Sequence, residues 1–312
     1  MKILVILFRT LGDICMGTTV VRAIKQKFPD SDVDFVTEDA SVNILEGNPD
    51  ISNIFIANNY YEALSKYGVN GYDKIYKLNM ANHLDTCWHH VPKHKNQHLV
   101  EWYAKRAEID TLDDKNIYIY PSEKDVEKVE HFSRDLPENL IAIHTSSGWH
   151  GSMNINSKDW PIYYFDVIAE RLIKNGYNVI QIGGKSDKPL TTEGVINGLG
   201  AMSFKQTFLL LKSCSGFIGV DSGPAYLAGQ SGIPSMVIMG ATQNQTEFNS
   251  GPSVGPRNDN VYYINPERPN DSNCTPTPCY VNCIIKKQGG CISDILPNII
   301  WDSVTKNFSK AS

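Results

Sequence analysis

The chain has 312 residues, of which 41% are hydrophobic, 20% charged and 10% aromatic, the composition of an ordinary globular protein rather than a disordered or fibrous one. That length accommodates two domains of about 150 residues each. The formal net charge is -5, and Lys+Arg stand against Asp+Glu as 16 to 22 over residues 1–139 and 13 to 12 over 140–312, a balance that excludes a general polyanion binder.

In chain order, the first element is Ile3 to Phe8, an apolar run far short of the ~20 residues that a membrane-spanning helix needs. Arg9 and Gly12-Asp13 follow it directly, without the longer apolar core and small-residue cleavage site of a signal peptide. The run therefore reads as the buried first strand of a cytoplasmic protein. Further strands are expected near 33–37, 53–57, 73–78 and 116–120, and a helix over 16–27, where Val20, Val21, Ile24 and Phe28 recur at helical spacing. The alternation then restarts with LIAIH (140–144), a helix near 161–175, and strands NVIQI (178–182), GFIGV (216–220) and SMVIM (235–239). Such alternation predicts an α/β protein with two doubly wound, Rossmann-like parallel sheets in tandem. The polar stretch 134–139 contains Pro137 and marks the boundary between them, and a last helical pattern covers roughly 292–308, where it can cap either domain.

Doubly wound sheets bind ligands beyond the carboxyl ends of their strands, which singles out four segments. In Arg9-Thr10-Leu11-Gly12-Asp13, Gly12 permits a tight turn, and Asp13 is either a carboxylate facing an interdomain cleft or a helix N-cap. Thr145-Ser146-Ser147-Gly148, continuing to Lys158, offers hydroxyls, N–H groups and an ammonium to phosphate, although Lys158 by itself reads as a solvated surface lysine. Gly183-Gly184-Lys185-Ser186-Asp187 brings an acid that can accept ribose hydroxyls, or forms a solvent-facing turn. Asp221-Ser222-Gly223-Pro224 opens a helix running through Tyr226, where the same residues serve simple capping or an anion site. Neither a Walker spacing nor G-x-G-x-x-G after the first strand occurs, which weakens nucleotide hydrolysis and dinucleotide binding.

Taken together and in this order, the segments resemble glycosyltransferase family nine, the heptosyltransferases of lipopolysaccharide assembly. The opening MKILVILFRTLGDICMGTTVVRAIKQKFPDSDVDFVTEDA, LEGNPDI (45–51), KDWPIYYF (158–165), IGGKSD (182–187), GVDSGPAYLAG (219–229) and CISDILPNIIWDSV (291–304) are similar to that family's motifs, so the resemblance runs through nearly the whole chain. It implies a GT-B fold, with an acceptor-binding Rossmann-like domain over 1–136, a nucleotide-sugar domain over 137–290 and a C-terminal helix within 291–312, the two domains facing a cleft. It also implies an inverting, metal-independent transfer from a nucleoside-diphosphate sugar to an acceptor hydroxyl, by family default from ADP-heptose to lipopolysaccharide core. No cofactor is implied for catalysis, and peripheral membrane association is expected. Asp13 matches the general base, Lys158 a phosphate-contacting lysine and Ser222-Gly223 the diphosphate-binding turn. Thr145, Ser146, Ser147, Gly184, Asp187, Asp221 and Tyr226 fall on the donor side, and Arg9, Gly12, Trp88 and His98 on the acceptor side. The family motif reads Gly-Pro-Met-His where this chain has Gly223-Pro224-Ala225-Tyr226, and the acid near 187 is displaced, so sugar and base stay open.

Three features remain. Asp30-Ser31-Asp32-Val33-Asp34 holds two D-x-D triplets, yet it lies before a strand, away from the carboxyl ends, and is expected to be a solvated turn. Seven Cys is an odd number for a disulfide framework, and Cys274, Cys279, Cys283 and Cys291, spaced C-x4-C-x3-C-x7-C, suit either a structural zinc or iron site or free thiols in a loop. Residues 83–106 carry five His with Lys93, Lys95, Lys105, Arg106, Trp88, Trp102 and Tyr103, either a grip for a phosphorylated acceptor or a solvated loop entering a helix at about 97. Rival readings keep the chemistry with hydroxymethylated DNA or a protein hydroxyl as acceptor, or reduce the chain to a non-catalytic nucleotide-sugar binding module.

Overall fold

Ile3, Leu4, Val5, Ile6 and Leu7 have no exposure at all, because β1 (Lys2–Ile6) lies within a parallel sheet covered on both faces. The computed structural model describes residues 1–312 apart from 9, 69–70, 79–97, 113, 115, 149–157, 241–253, 267–289 and 309–312. Successive strand residues face opposite ways. Accordingly Ile3, Val5 and Leu7 pack with α1 (Leu11–Lys27), while Leu4 and Ile6 pack with Ala63 of α3 (Tyr60–Tyr67). α1 is buried on all sides from Ile14 to Val21 and again at Ile24, and stops at Phe28, one residue before Pro29.

The N-terminal sheet has four parallel strands in the order β3 (Asn53–Ile56), β2 (Asp32–Thr37), β1, β4 (Lys74–Lys77). α2 (Val42–Leu45) follows β2, and α4 (Leu99–Arg106) packs against α1. The second sheet has six parallel strands in the order β10 (Val261–Ile264), β9 (Ser235–Ile238), β8 (Gly216–Val220), β5 (Leu140–His144), β6 (Asn178–Gly183), β7 (Val195–Leu199). Chain order reverses between β1 and β4 in one sheet and between β5 and β8 in the other, the positions at which such sheets bind ligands.

Ile141 and Ile143 of β5 face α6 (Ile162–Lys174) and α9 (Pro297–Asn307), so the C-terminal helix belongs to the second half. Phe308 lies against Gly216, and the Trp160 indole donates to the carbonyl of Ile295 at 2.8 Å. Leu140 and Ala142 face the other way, toward α7 (Phe204–Leu211) and α8 (Gly223–Ser231), in a core continuous with that around α1. α5 (Glu123–Ser133) packs on α7, with Gln206 donating to Asp125 at 2.8 Å.

The expected strand at 116–120 is absent. Its backbone bonds go to side chains instead: the Tyr118 amide donates to Thr18 Oγ1 at 2.9 Å, the Ile117 amide to Gln230 Oε1 at 3.0 Å, and the Asn116 carbonyl accepts from Thr19 at 2.6 Å.

Candidate active site

Asp13 sits three residues past Thr10, the N-cap of α1. The Thr10 hydroxyl does not cap the helix but donates to Asp13 Oδ2 at 2.7 Å, and the Tyr103 hydroxyl donates to Oδ1 at 2.5 Å. A carboxylate in the first turn is favoured by the helix dipole. With both oxygens held, Asp13 stands at the carboxyl end of β1 as an oriented acceptor.

The residues expected on the donor side gather near the ends of β5, β6 and β8. Lys158 Nζ lies 2.9 Å from Asp221 Oδ2, with both side chains largely buried. The Ser147 amide donates to Asp159 at 2.7 Å, the Gly148 amide to Ser146 Oγ at 3.2 Å, and Gln181 Nε2 to Thr145 Oγ1 at 3.2 Å. Asp187 is turned inward rather than toward solvent: its Oδ2 accepts the Gly184 amide at 2.7 Å and lies 3.9 Å from His144 Nε2. Ser222 is the N-cap of α8, yet its hydroxyl contacts His144 Nδ1 and the Val220 carbonyl, each at 3.0 Å, and makes no cap bond. Burial pushes the His144 imidazole down to about 4, against the pull of Asp187, so the ring is neutral at pH 7. The Ser222 hydroxyl has one proton and donates it to the Val220 carbonyl, so both contacts are satisfied when His144 Nδ1 carries the ring proton and donates it to Ser222 Oγ.

The two helix starts meet. A methyl group on Gly12 would lie 2.8 Å from Cε2 of Tyr226, and one on Gly223 would lie 2.9 Å from Cβ of Leu11. Tyr226 is 4% exposed, and its hydroxyl accepts the Gly255 amide at 2.9 Å while approaching Met16 Sδ at 3.7 Å. Tyr226 thus fills the seam between the halves. His98 caps α4, its Nδ1 accepting the Val100 amide at 3.2 Å, and its Nε2 reaches the Gly255 carbonyl at 2.9 Å. Only the neutral ring protonated on Nε2 satisfies both bonds, and burial accordingly lowers this imidazole to about 4.

Of the residues expected from the sequence, Asp13, Lys158, Asp221, Ser222, Gly223, Gly12 and Tyr226 come together around the two helix starts, and His98 lies behind them on Gly255. Arg9, Trp88, Cys274, Cys279 and Cys283 lie outside the described residues, and Cys291 is half-buried in a short turn over Gly290–Asp294. Among the described residues no group of three or more His, Cys, Asp or Glu is arranged to hold a metal ion, and no helix is long and apolar enough to cross a membrane. One residue beside the expected ones, His144, and one contact, that of Tyr103 with Asp13, escape sequence reasoning. His144 ends an otherwise apolar strand, a polar group in a wholly buried run that marks the strand's chemical end. Tyr103 stands out in the sequence only as part of the basic and aromatic stretch 83–106, and nothing there points to Asp13, which lies 90 residues earlier.

The profile of glycosyltransferase family 9 (heptosyltransferase) matches residues 71–280. Lipopolysaccharide heptosyltransferase 3 of Escherichia coli is 21% identical over 285 residues, covering 75% of this chain and 82% of that protein. Among solved structures, a family 9 glycosyl transferase of Veillonella parvula has a TM-score of 0.76 at 17% identity, with 98% of this chain and 96% of its own covered. Escherichia coli ADP-heptose lps heptosyltransferase II has a TM-score of 0.71 at 16% identity, with 98% of each chain covered. These likenesses agree with the two facing parallel-sheet halves of a GT-B fold. The family match spans about two thirds of the sequence, and the chain belongs to glycosyltransferase family 9, the heptosyltransferases.

Proposed function

We propose that this glycosyltransferase moves heptose from ADP-heptose to a hydroxyl of the lipopolysaccharide core, with inversion and without a catalytic divalent cation. The observation that carries the reading is the meeting of two helix N-termini, α1 and α8, whose cap residues Thr10 and Ser222 turn their hydroxyls to Asp13 and His144. Each helix start carries about half a positive charge on its amides. That field, with the Lys158 ammonium, suits the leaving diphosphate. The names of the E. coli lipopolysaccharide enzyme and of the ADP-heptose enzyme support the acceptor and the donor.

In this reading the acceptor hydroxyl gives its proton to the Asp13 carboxylate while its oxygen bonds the anomeric carbon. The bond from that carbon to the diphosphate breaks on the opposite face, and its electron pair leaves on the phosphate oxygen. Lys158, held at the strand end by Asp221, and the amides of α8 stabilise that charge. Asp221 keeps the ammonium from wandering into solvent before the donor arrives.

A thermal-shift panel of ADP, UDP, GDP, CDP and TDP, each with and without EDTA, tests the donor. At 100 times its dissociation constant a ligand stabilises the fold by about 2.7 kcal/mol, so ADP is expected to raise Tm with EDTA present. Asp13→Ala is expected to cut transfer ~10²–10⁴-fold while keeping the ADP shift. Transfer at the wild-type rate would remove Asp13 as base, and silence from ADP beside a response to another nucleotide would remove the donor assignment.

A further inference from the structure

Tyr103 lies in the core of the N-terminal half, 2% exposed, with its hydroxyl 2.5 Å from Asp13 Oδ1. A buried phenol needs a hydrogen-bond partner, but an ordinary backbone carbonyl would satisfy it. Here the partner is the carboxylate at the strand end, and the other carboxylate oxygen is held by Thr10 from a different element. One donor leaves a carboxylate free to turn about its Cβ–Cγ bond. Two donors, one on each oxygen, fix its plane, and because a carboxylate has about four lone-pair positions, room remains for a third hydroxyl.

The helix that carries Tyr103 is itself anchored. His98 at its start bonds Gly255 of the second half at 2.9 Å, and Glu101 returns to the His98 amide at 3.3 Å to close the cap. The Tyr103 hydroxyl is therefore presented by a fixed element rather than by a loop. We propose that Tyr103 is the positioning residue for Asp13, setting the direction along which the carboxylate accepts the acceptor's proton. This rests on the reading of Asp13 as the base. Tyr103 contacts no substrate in this role, so losing its hydroxyl slows the proton-coupled step and leaves donor binding alone.

The test is Tyr103→Phe, which keeps the ring and its packing, assayed with ADP-heptose as donor and heptose-deficient lipopolysaccharide as acceptor. Misplacing a reacting group by about 1 Å costs ~10²-fold, so kcat is expected to fall ~10–100-fold, with the KM for ADP-heptose and the ADP-induced thermal shift within about twofold of wild type. Thr10→Val, which removes the donor from the opposite oxygen, is expected to give the same kcat-specific loss, and Thr10→Ser to restore it. This second pair decides the matter if Tyr103→Phe does not fold. Wild-type kcat in Tyr103→Phe, or a loss confined to KM, overturns the proposal. Asp13→Asn measured alongside separates the two claims: inactive Asp13→Asn with fully active Tyr103→Phe overturns the positioning role alone, whereas active Asp13→Asn removes the base and the positioning role together.

Discussion

At Gly12 the two halves touch through a bare α-carbon and an aromatic ring. A side chain there would meet the Tyr226 ring at 2.8 Å, and that ring is held by the Gly255 amide. Replacing a helical glycine with alanine gains at most about 1 kcal/mol, whereas overfilling a packed contact costs ~1–3 kcal/mol. Gly12→Ala is therefore expected to lower Tm by a few degrees, and an unchanged or raised Tm would show that the seam has slack. The candidate site was legible in the sequence where a residue closely followed an apolar strand, as Asp13 and Ser222 do, whereas Lys158 lies 14 residues beyond the end of β5 and was singled out only through the family resemblance. Partners supplied by tertiary folding were not: Tyr226 meets Met16 across 210 residues, and nothing local in either segment announces the other.

Helix α4 and strand β5 each bear a histidine held neutral by burial, His98 and His144, with both rings lowered to about 4. An unfolded histidine titrates near 6.5. The unfolded chain therefore takes up protons below that pH while the folded chain does so only near 4. Stability is complete above pH 6.5 and falls as the pH drops through the window from 6.5 to 4, by up to ~1.4 kcal/mol per pH unit for each ring. Urea midpoints at pH 7, 6 and 5 are expected to decrease steadily, and His98→Gln to flatten the decline; a flat wild-type series would count against buried neutral rings. Among the strands of the second sheet, burial made some plainer than others. β5 and β8, wholly buried, are obvious apolar runs, whereas the edge strand β7 is only part-buried over most of its length and its run is broken by Asn197 and Gly198. Residues 116–120 misled for the opposite reason, since Ile117 and Ile119 are buried in alternation but the amides beside them are satisfied by Gln230 and Thr18.

Across the molecule, the sheets are separate but their core is not. One apolar cluster runs from Val5 and Val20 in the first half to Phe217 and Val237 in the second. The seam also carries a buried lysine: Lys205 of α7 is 3% exposed, donates to the Glu46 carbonyl at 2.6 Å, and is lowered by burial. Arg257 reaches across in the same sense to the Asp114 carbonyl. The halves are accordingly expected to unfold together, with far-UV circular dichroism and tryptophan fluorescence tracing one coincident urea transition. Two separated transitions would mean that the shared core contributes little.

The contact between Gly12 and Tyr226 has a further consequence while the chain is being made. At ~5–20 residues per second, the ring that covers the start of α1 is synthesised roughly 10–40 s after that helix. Throughout this interval the nascent N-terminal half displays Leu11, Gly12 and Met16 with no counterpart. Until its own second half arrives, the newborn polypeptide lacks the ring that covers this face in the finished fold.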